Sequence, residues 1–153
     1  MLKNILKFSF VGLGIAAVGA AAIYGVDYWR YKTSPEYQLK QEYERMEKAY
    51  AEDMYGGNTP EETLQLFIDA LKKGDTNLAA KYFVLDRQEE QRLDLAKMKQ
   101  KNLLDEMIKD LKKTKSTVKS DTAYFTLIRE NDLPSELIMH KNSLTNKWKI
   151  IEL

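Results

Sequence analysis

The sequence predicts an α+β fold: an N-terminal transmembrane helix, an amphipathic linker helix, and then helices packed on one face of a small antiparallel sheet. Three observations predict it. Residues 8–26 carry no charge. Between Leu39 and Leu111 apolar residues recur at helical spacing in several separate segments, the pattern of helices with one buried face. After residue 121 the chain turns to short runs of β-branched and aromatic residues separated by turn clusters, and helices followed by strands make a layered α+β arrangement. The chain divides accordingly into an anchor over 1–33, a linker helix over 34–57 and an α+β domain over 58–153.

The first element is the uncharged run FSFVGLGIAAVGAAAIYGV, 19 residues between Lys7 and Asp27. At about 1.5 Å per residue it covers roughly 28 Å, and with Ile5 and Leu6 it matches a hydrocarbon core of about 30 Å. Residues 5–26 are therefore expected to contact a lipid bilayer. A cleaved signal peptide is the alternative, since Lys3 and Lys7 form a basic start and Ala20, Ala21 and Ala22 suit a peptidase, which would leave a secreted chain. Against it, Ile23, Tyr24, Gly25 and Val26 carry the apolar run past that cut. Tyr24, Tyr28, Trp29 and Tyr31 then come with Arg30 and Lys32, rings and cations suited to the headgroup level. Lys3 and Lys7 place the N-terminus in the cytoplasm and the next 120 or so residues outside it. Gly12, Ala16 and Ala20 recur every fourth residue, as do Ala17, Ala21 and Gly25, a spacing that lets helices approach closely and that is also common in spans generally. There is no cysteine, so disulfides, thiolate metal sites and a lipidated cysteine are excluded.

Composition limits the remainder of the chain. Twenty-four basic residues against 23 acidic leave a net charge of +1, so no global field favours nucleic acid, and none is expected as a partner. The linker helix is expected over residues 34–55, with Ser34 as cap, Pro35 in the first turn, Glu36 behind it, and Gly56 and Gly57 as the stop. Leu39, Tyr43, Met46, Tyr50 and Met54 make a stripe along one face. That stripe reads as a packing face, on its own domain or on a partner.

Thr59, Pro60 and Glu62 then spell a capping box with proline in the first helical turn. Leu64, Phe67, Ile68 and Leu71 form the buried face of the helix so started, and Gly74 supplies its left-handed stop. A second helix carrying Leu78, Ala79, Tyr82 and Phe83 is expected directly after. Helical spacing resumes through Leu93, Ala96, Leu103, Leu104, Met107, Ile108 and Leu111, broken near Asn102. Lys109, Lys112, Lys113, Lys115 and Lys119 form a local basic run, a solvated helix end or, more sharply, a lipid-surface or anion contact. Three strands close the chain, over 122–129, 136–140 and 147–152, with turns at Asn131-Asp132 and Asn142-Ser143. In the last strand Trp148 and Ile150 alternate onto the buried face, leaving Lys147 and Lys149 to face water.

The run from Thr59 to Phe83, with Thr59, Pro60, Glu61 and Glu62 at the cap, Gly74 and Asp75 at the turn, Ala79, Ala80 and Tyr82 in the second helix, and Trp148, Lys149 and Ile150 in the final strand, resembles the nuclear-transport-factor-2-like fold. The likeness is to its small bacterial membrane-attached domains of unknown function. It spans about residues 59–153 and implies helices covering a curved sheet that encloses a cone-shaped pocket, expected to be shallow or absent here because only three strands are expected.

The residues themselves point to little chemistry. His140 stands alone in a strand, with no second histidine or cysteine to complete a metal set. Gly12 and Gly14 lie inside the span and so form no phosphate loop. Enzymes of the resembled fold, such as ketosteroid isomerase, place an acid and a tyrosine in the cone, but no motif assigns that role to Asp69 or Tyr124. No catalytic, cofactor or metal residue is expected. The expected function is a membrane-anchored, non-catalytic binding or assembly module with a protein partner or self-association. The alternative is a domain that binds or turns over a small apolar molecule in the cone.

Overall fold

The computed structural model describes residues 24–127 and 135–153. The expected span up to Ile23, its signal-peptide alternative, and the Asn131-Asp132 turn lie outside these residues. No helix among the described residues is long and apolar enough to cross a membrane. The chain divides into two compact units, Met1–Lys48 and Ala49–Leu153.

In the first unit, residues 24–33 are helical (α1). Helix α2 comes next over Pro35–Glu52 and carries its last four residues into the second unit. Ser34 separates the two, its hydroxyl accepting the Tyr37 N–H at 3.2 Å and donating to the Tyr31 carbonyl at 2.7 Å. Both roles suit a residue that ends one helix and caps the next. α2 stops three residues earlier than residue 55, and Asp53, the first residue beyond it, forms a buried ion pair with Lys149.

The second unit is α+β. Helices α3 (Pro60–Lys72), α4 (Thr76–Ala80), α5 (Gln88–Gln100) and α6 (Leu104–Leu111) precede an antiparallel meander of β1 (Lys115–Lys119), β2 (Thr122–Leu127), β3 (Ser135–Lys141) and β4 (Trp148–Glu152), paired in that order. The capping box forms with one change of partner. Thr59 Oγ1 accepts the Glu62 N–H at 3.1 Å, while the Glu62 carboxylate reaches back to the Asn58 N–H at 2.6 Å. At the other end of α3, Gly74 adopts φ 64°, and the Gly74 and Asp75 amides return to the carbonyls of Leu71 and Ala70. That is the left-handed helix stop glycine makes cheaply.

Four further expectations from the sequence are corrected by the structure. α4 ends at Ala80, so Tyr82 and Phe83 leave the helix. Phe83 instead forms an isolated parallel bridge with Ile150, through Ile150 N–H to the Tyr82 carbonyl and Val84 N–H to the Ile150 carbonyl, both 2.9 Å. Leu93 of α5 and Leu103, just before α6, are exposed, and α5 buries only Leu95 fully. The sheet has a fourth strand, as Lys115 to Lys119 pair with β2 around a two-residue turn in which Ser120 takes φ 53°. Lys149 is buried rather than facing water.

The break at Asn102 (φ 58°) and the burial of Trp148 and Ile150 match expectation. One face of the sheet presents Ala123, Phe125 and Leu127 from β2, Leu137 and Met139 from β3, and Ile150 from β4. These join Phe67, Ile68 and Leu71 of α3, Phe83, Leu95 of α5, and Met107, Ile108 and Leu111 of α6 in one core. Phe67 and Phe83 meet edge to face, centroids 5.5 Å apart at 82°, a geometry worth about 0.5–1.5 kcal/mol beyond the area it buries.

Candidate functional site

Three places can carry chemistry or recognition. The first is the buried pair Asp53–Lys149. β4 carries Lys149 to the edge bridged by Phe83, where its ammonium donates to Asp53 Oδ2 at 2.7 Å and to the Lys81 carbonyl at 2.6 Å. Asp53 Oδ1 also accepts the Tyr55 N–H at 3.2 Å. Gln88 bridges from α5, reaching Asp53 Oδ2 at 3.4 Å and the Phe83 carbonyl at 3.1 Å. Burial pulls the Lys149 pKa below its ordinary 10.5, and the Asp53 hydrogen bond and charge oppose that pull without cancelling it. Alongside, Tyr50 is pushed up, first by burial and then by the charge of Asp86 beside it. The Lys81 ammonium lies over the Tyr55 ring at 4.5 Å and donates to its hydroxyl at 2.9 Å. Among the described residues, neither described cleft is lined by Lys149 or Asp53. The pair is a clasp between residue 53 and β4, with its donors and acceptors already engaged.

The second place is a cleft of about 240 Å³ at the end of the sheet where β2 finishes and β3 begins. Leu95 and Met98 of α5, Met107 of α6, Leu127 and Leu153 give it an apolar lining, and Gln91, Asp94 and Ser135 add polar groups. Asp94 is engaged with Lys97 at 2.9 Å. Apolar and polar groups share this lining, and methionine side chains are ones that can change shape.

The third is the apolar surface of α1 and α2. Tyr24, Val26, Tyr28, Trp29 and Tyr31 are exposed, and so are Leu39, Tyr43 and Met46 of the expected stripe. α2 has no buried residue. Tyr50 alone of the stripe is half-buried, and Met54 is exposed beyond the end of the helix.

The other residues considered in the sequence are scattered. Asp69 sits half-buried on α3, its carboxylate held below the usual range by hydrogen bonds from Lys72 (2.6 Å) and Gln65 (2.9 Å). Tyr124 lies on the outer face of β2 with the Lys119 ammonium 5.9 Å from its ring centre. His140, also on the outer face, has its Nδ1 3.2 Å from the Thr122 hydroxyl. Among the described residues no group of three or more histidine, cysteine, aspartate or glutamate side chains is placed to hold a metal ion. Sequence reasoning missed the Asp53–Lys149 clasp altogether. Its only sequence trace is a lysine between Trp148 and Ile150 in an otherwise apolar strand. No family model, no curated protein and no solved structure matches the chain.

Proposed function

We propose that the chain is a single-pass membrane-anchored, non-catalytic binding or assembly module. In this reading the N-terminus lies in the cytoplasm and the α+β unit lies outside it. The observation that carries this reading is the exposed stripe of Leu39, Tyr43 and Met46 on a helix with no fully buried residue. Apolar residues at helical spacing gain by leaving water, at about 25 cal/mol per Å² of apolar area, and on this helix that gain awaits a second surface. The uncharged run of residues 8–26 supplies the anchor, and the likeness to membrane-attached nuclear-transport-factor-2-like domains agrees with it.

The test uses the full chain extracted in gentle detergent and weighed by native mass measurement. A species heavier than the 17.8 kDa monomer, formed with itself or with a stoichiometric partner, is expected. Leu39→Glu with Tyr43→Glu should abolish it while leaving the α+β unit folded, since both side chains are exposed. A monomer in parent and variant alike would overturn the reading. The second reading, a binder of small apolar molecules, rests on the Leu95, Met98, Met107 and Leu127 cleft. It predicts that filling the cleft by Ser135→Trp abolishes uptake of a fluorescent apolar probe.

A further inference from the structure

We infer that the open edge of β1 is a docking site for an extended acidic peptide segment, which would add a fifth strand to the sheet. In the order β1-β2-β3-β4, β4 has its far side occupied by the Phe83 bridge, whereas β1 pairs only with β2 among the described residues. All five residues of β1 are exposed. The outer N–H and C=O groups of an edge strand are a ready template for another chain, and main-chain pairing of this kind supplies affinity with little demand on sequence.

Charge selects the occupant. Lys115 and Lys119 stand opposite Thr126 and Thr122, and with Thr117 opposite Tyr124 they share the outer face of the sheet. Lys109, Lys112 and Lys113, all exposed, add positive charge in the stretch that runs from the last turn of α6 to the start of the strand, while the Glu61 carboxylate accepts the Ser116 hydroxyl at 2.9 Å on the other side of β1. A second copy's β1 would bring its own two lysines against Lys115 and Lys119, a like-charge arrangement that disfavours self-pairing. A strand with glutamate or aspartate at alternate positions sets its carboxylates beside these lysines while its backbone continues the ladder. The site shares no residue with the α2 stripe and does not depend on it.

The experiment places the full chain in phosphatidylcholine nanodiscs and titrates a blocked, fluorescent seven-residue peptide of alternating glutamate and valine, followed by anisotropy. The expected result has three parts: saturable binding, slowed amide hydrogen exchange within Lys115–Lys119, and about tenfold weaker binding to Lys115→Glu/Lys119→Glu. Tenfold corresponds to losing two exposed charge contacts, each within the usual size of such a contact. A peptide of the same charge, N-methylated at alternate residues, should fail to bind, because it cannot form the ladder. Equal binding of both peptides would reduce the site to unspecific charge attraction and overturn the proposal. So would absence of binding to the parent chain. Protection of the same amides by phosphatidylserine in the nanodisc, with no response to peptide, would replace the peptide with an anionic lipid surface and likewise overturn it.

Discussion

Replacing Asp53 with alanine should be among the most damaging single changes in the second unit. The variant leaves the Lys149 ammonium, whose side chain is only 3% exposed, with the Lys81 carbonyl and no counter-charge. Removing one member of a buried ion pair costs about 3–5 kcal/mol, because the remaining charge keeps its desolvation penalty and loses its compensation. The Lys81 carbonyl puts the expectation at the lower end, about 3 kcal/mol. Proximity is not what sets this size, for Lys72 and Asp69 are just as close at 2.6 Å but lie 44% and 45% exposed, where water screens the pair and its removal matters little. Replacing both partners, Asp53→Ala with Lys149→Met, removes the stranded charge, so the double variant should be more stable than Asp53→Ala alone. Urea unfolding of the full chain in mild detergent measures this, with Trp29→Phe in every protein so that Trp148 alone reports. A loss under about 1 kcal/mol for Asp53→Ala, or a double variant as unstable as the sum of the singles, would refute the argument that burial makes this pair costly to break.

Since Lys149 releases its proton more readily folded than unfolded, the unfolded chain holds more protons between the lowered folded pKa and 10.5, and stability rises with pH through that window. Measured against Lys149→Met, the parent should therefore gain as pH climbs from neutrality toward 10.5 in the same urea assay. A flat difference would mean that burial does not depress this lysine. Trp148→Ala should cost about 3–5 kcal/mol, the range for emptying a large buried aromatic site, in an otherwise fully buried end of β4. An unchanged melting temperature would contradict that burial. Intact-mass measurement of the protein from membranes should return the full chain with its N-terminus, and a mature chain beginning near Ile23 would remove the anchor.

Where local chemistry decides a conformation, the sequence was sufficient to read it. Thr59 and Pro60 start a helix because a hydroxyl and a fixed φ suit its first turn, and Gly74 ends one because only the left-handed region closes it there. Trp148 and Ile150 alternate, and alternation placed them on the correct face. The failures share a cause, namely interactions made far along the chain. Lys149 looks like a water-facing residue by period alone, and only the approach of Asp53, 96 positions away, makes its burial tolerable. β1 was hidden because Lys112, Lys113 and Lys115 read as a charged helix end. Its signal was the Ser116-Thr117-Val118 triplet with a turn at Ser120 and Asp121 behind it. The stripe of α2 was legible as an apolar face, but periodicity fixes only which residues share a face and not whether anything covers it.

β4 also imposes an order of events on the newly made chain. The Thr63 hydroxyl waits for the Trp148 carbonyl, the Gly57 carbonyl for the Trp148 N–H, the Tyr82 carbonyl for the Ile150 N–H, and Asp53 for Lys149. The helices and the β1–β2 hairpin need only near neighbours and can form as they are synthesised, whereas these four unions wait until β4 has been made. At about 5–20 residues per second, the 96 positions between Asp53 and Lys149 take roughly 5–20 s to translate. For most of that interval the Phe67, Ile68 and Leu71 face of α3 lacks its last covering strand, so each polypeptide passes through a vulnerable adolescence with apolar surface open to chaperones and to other chains.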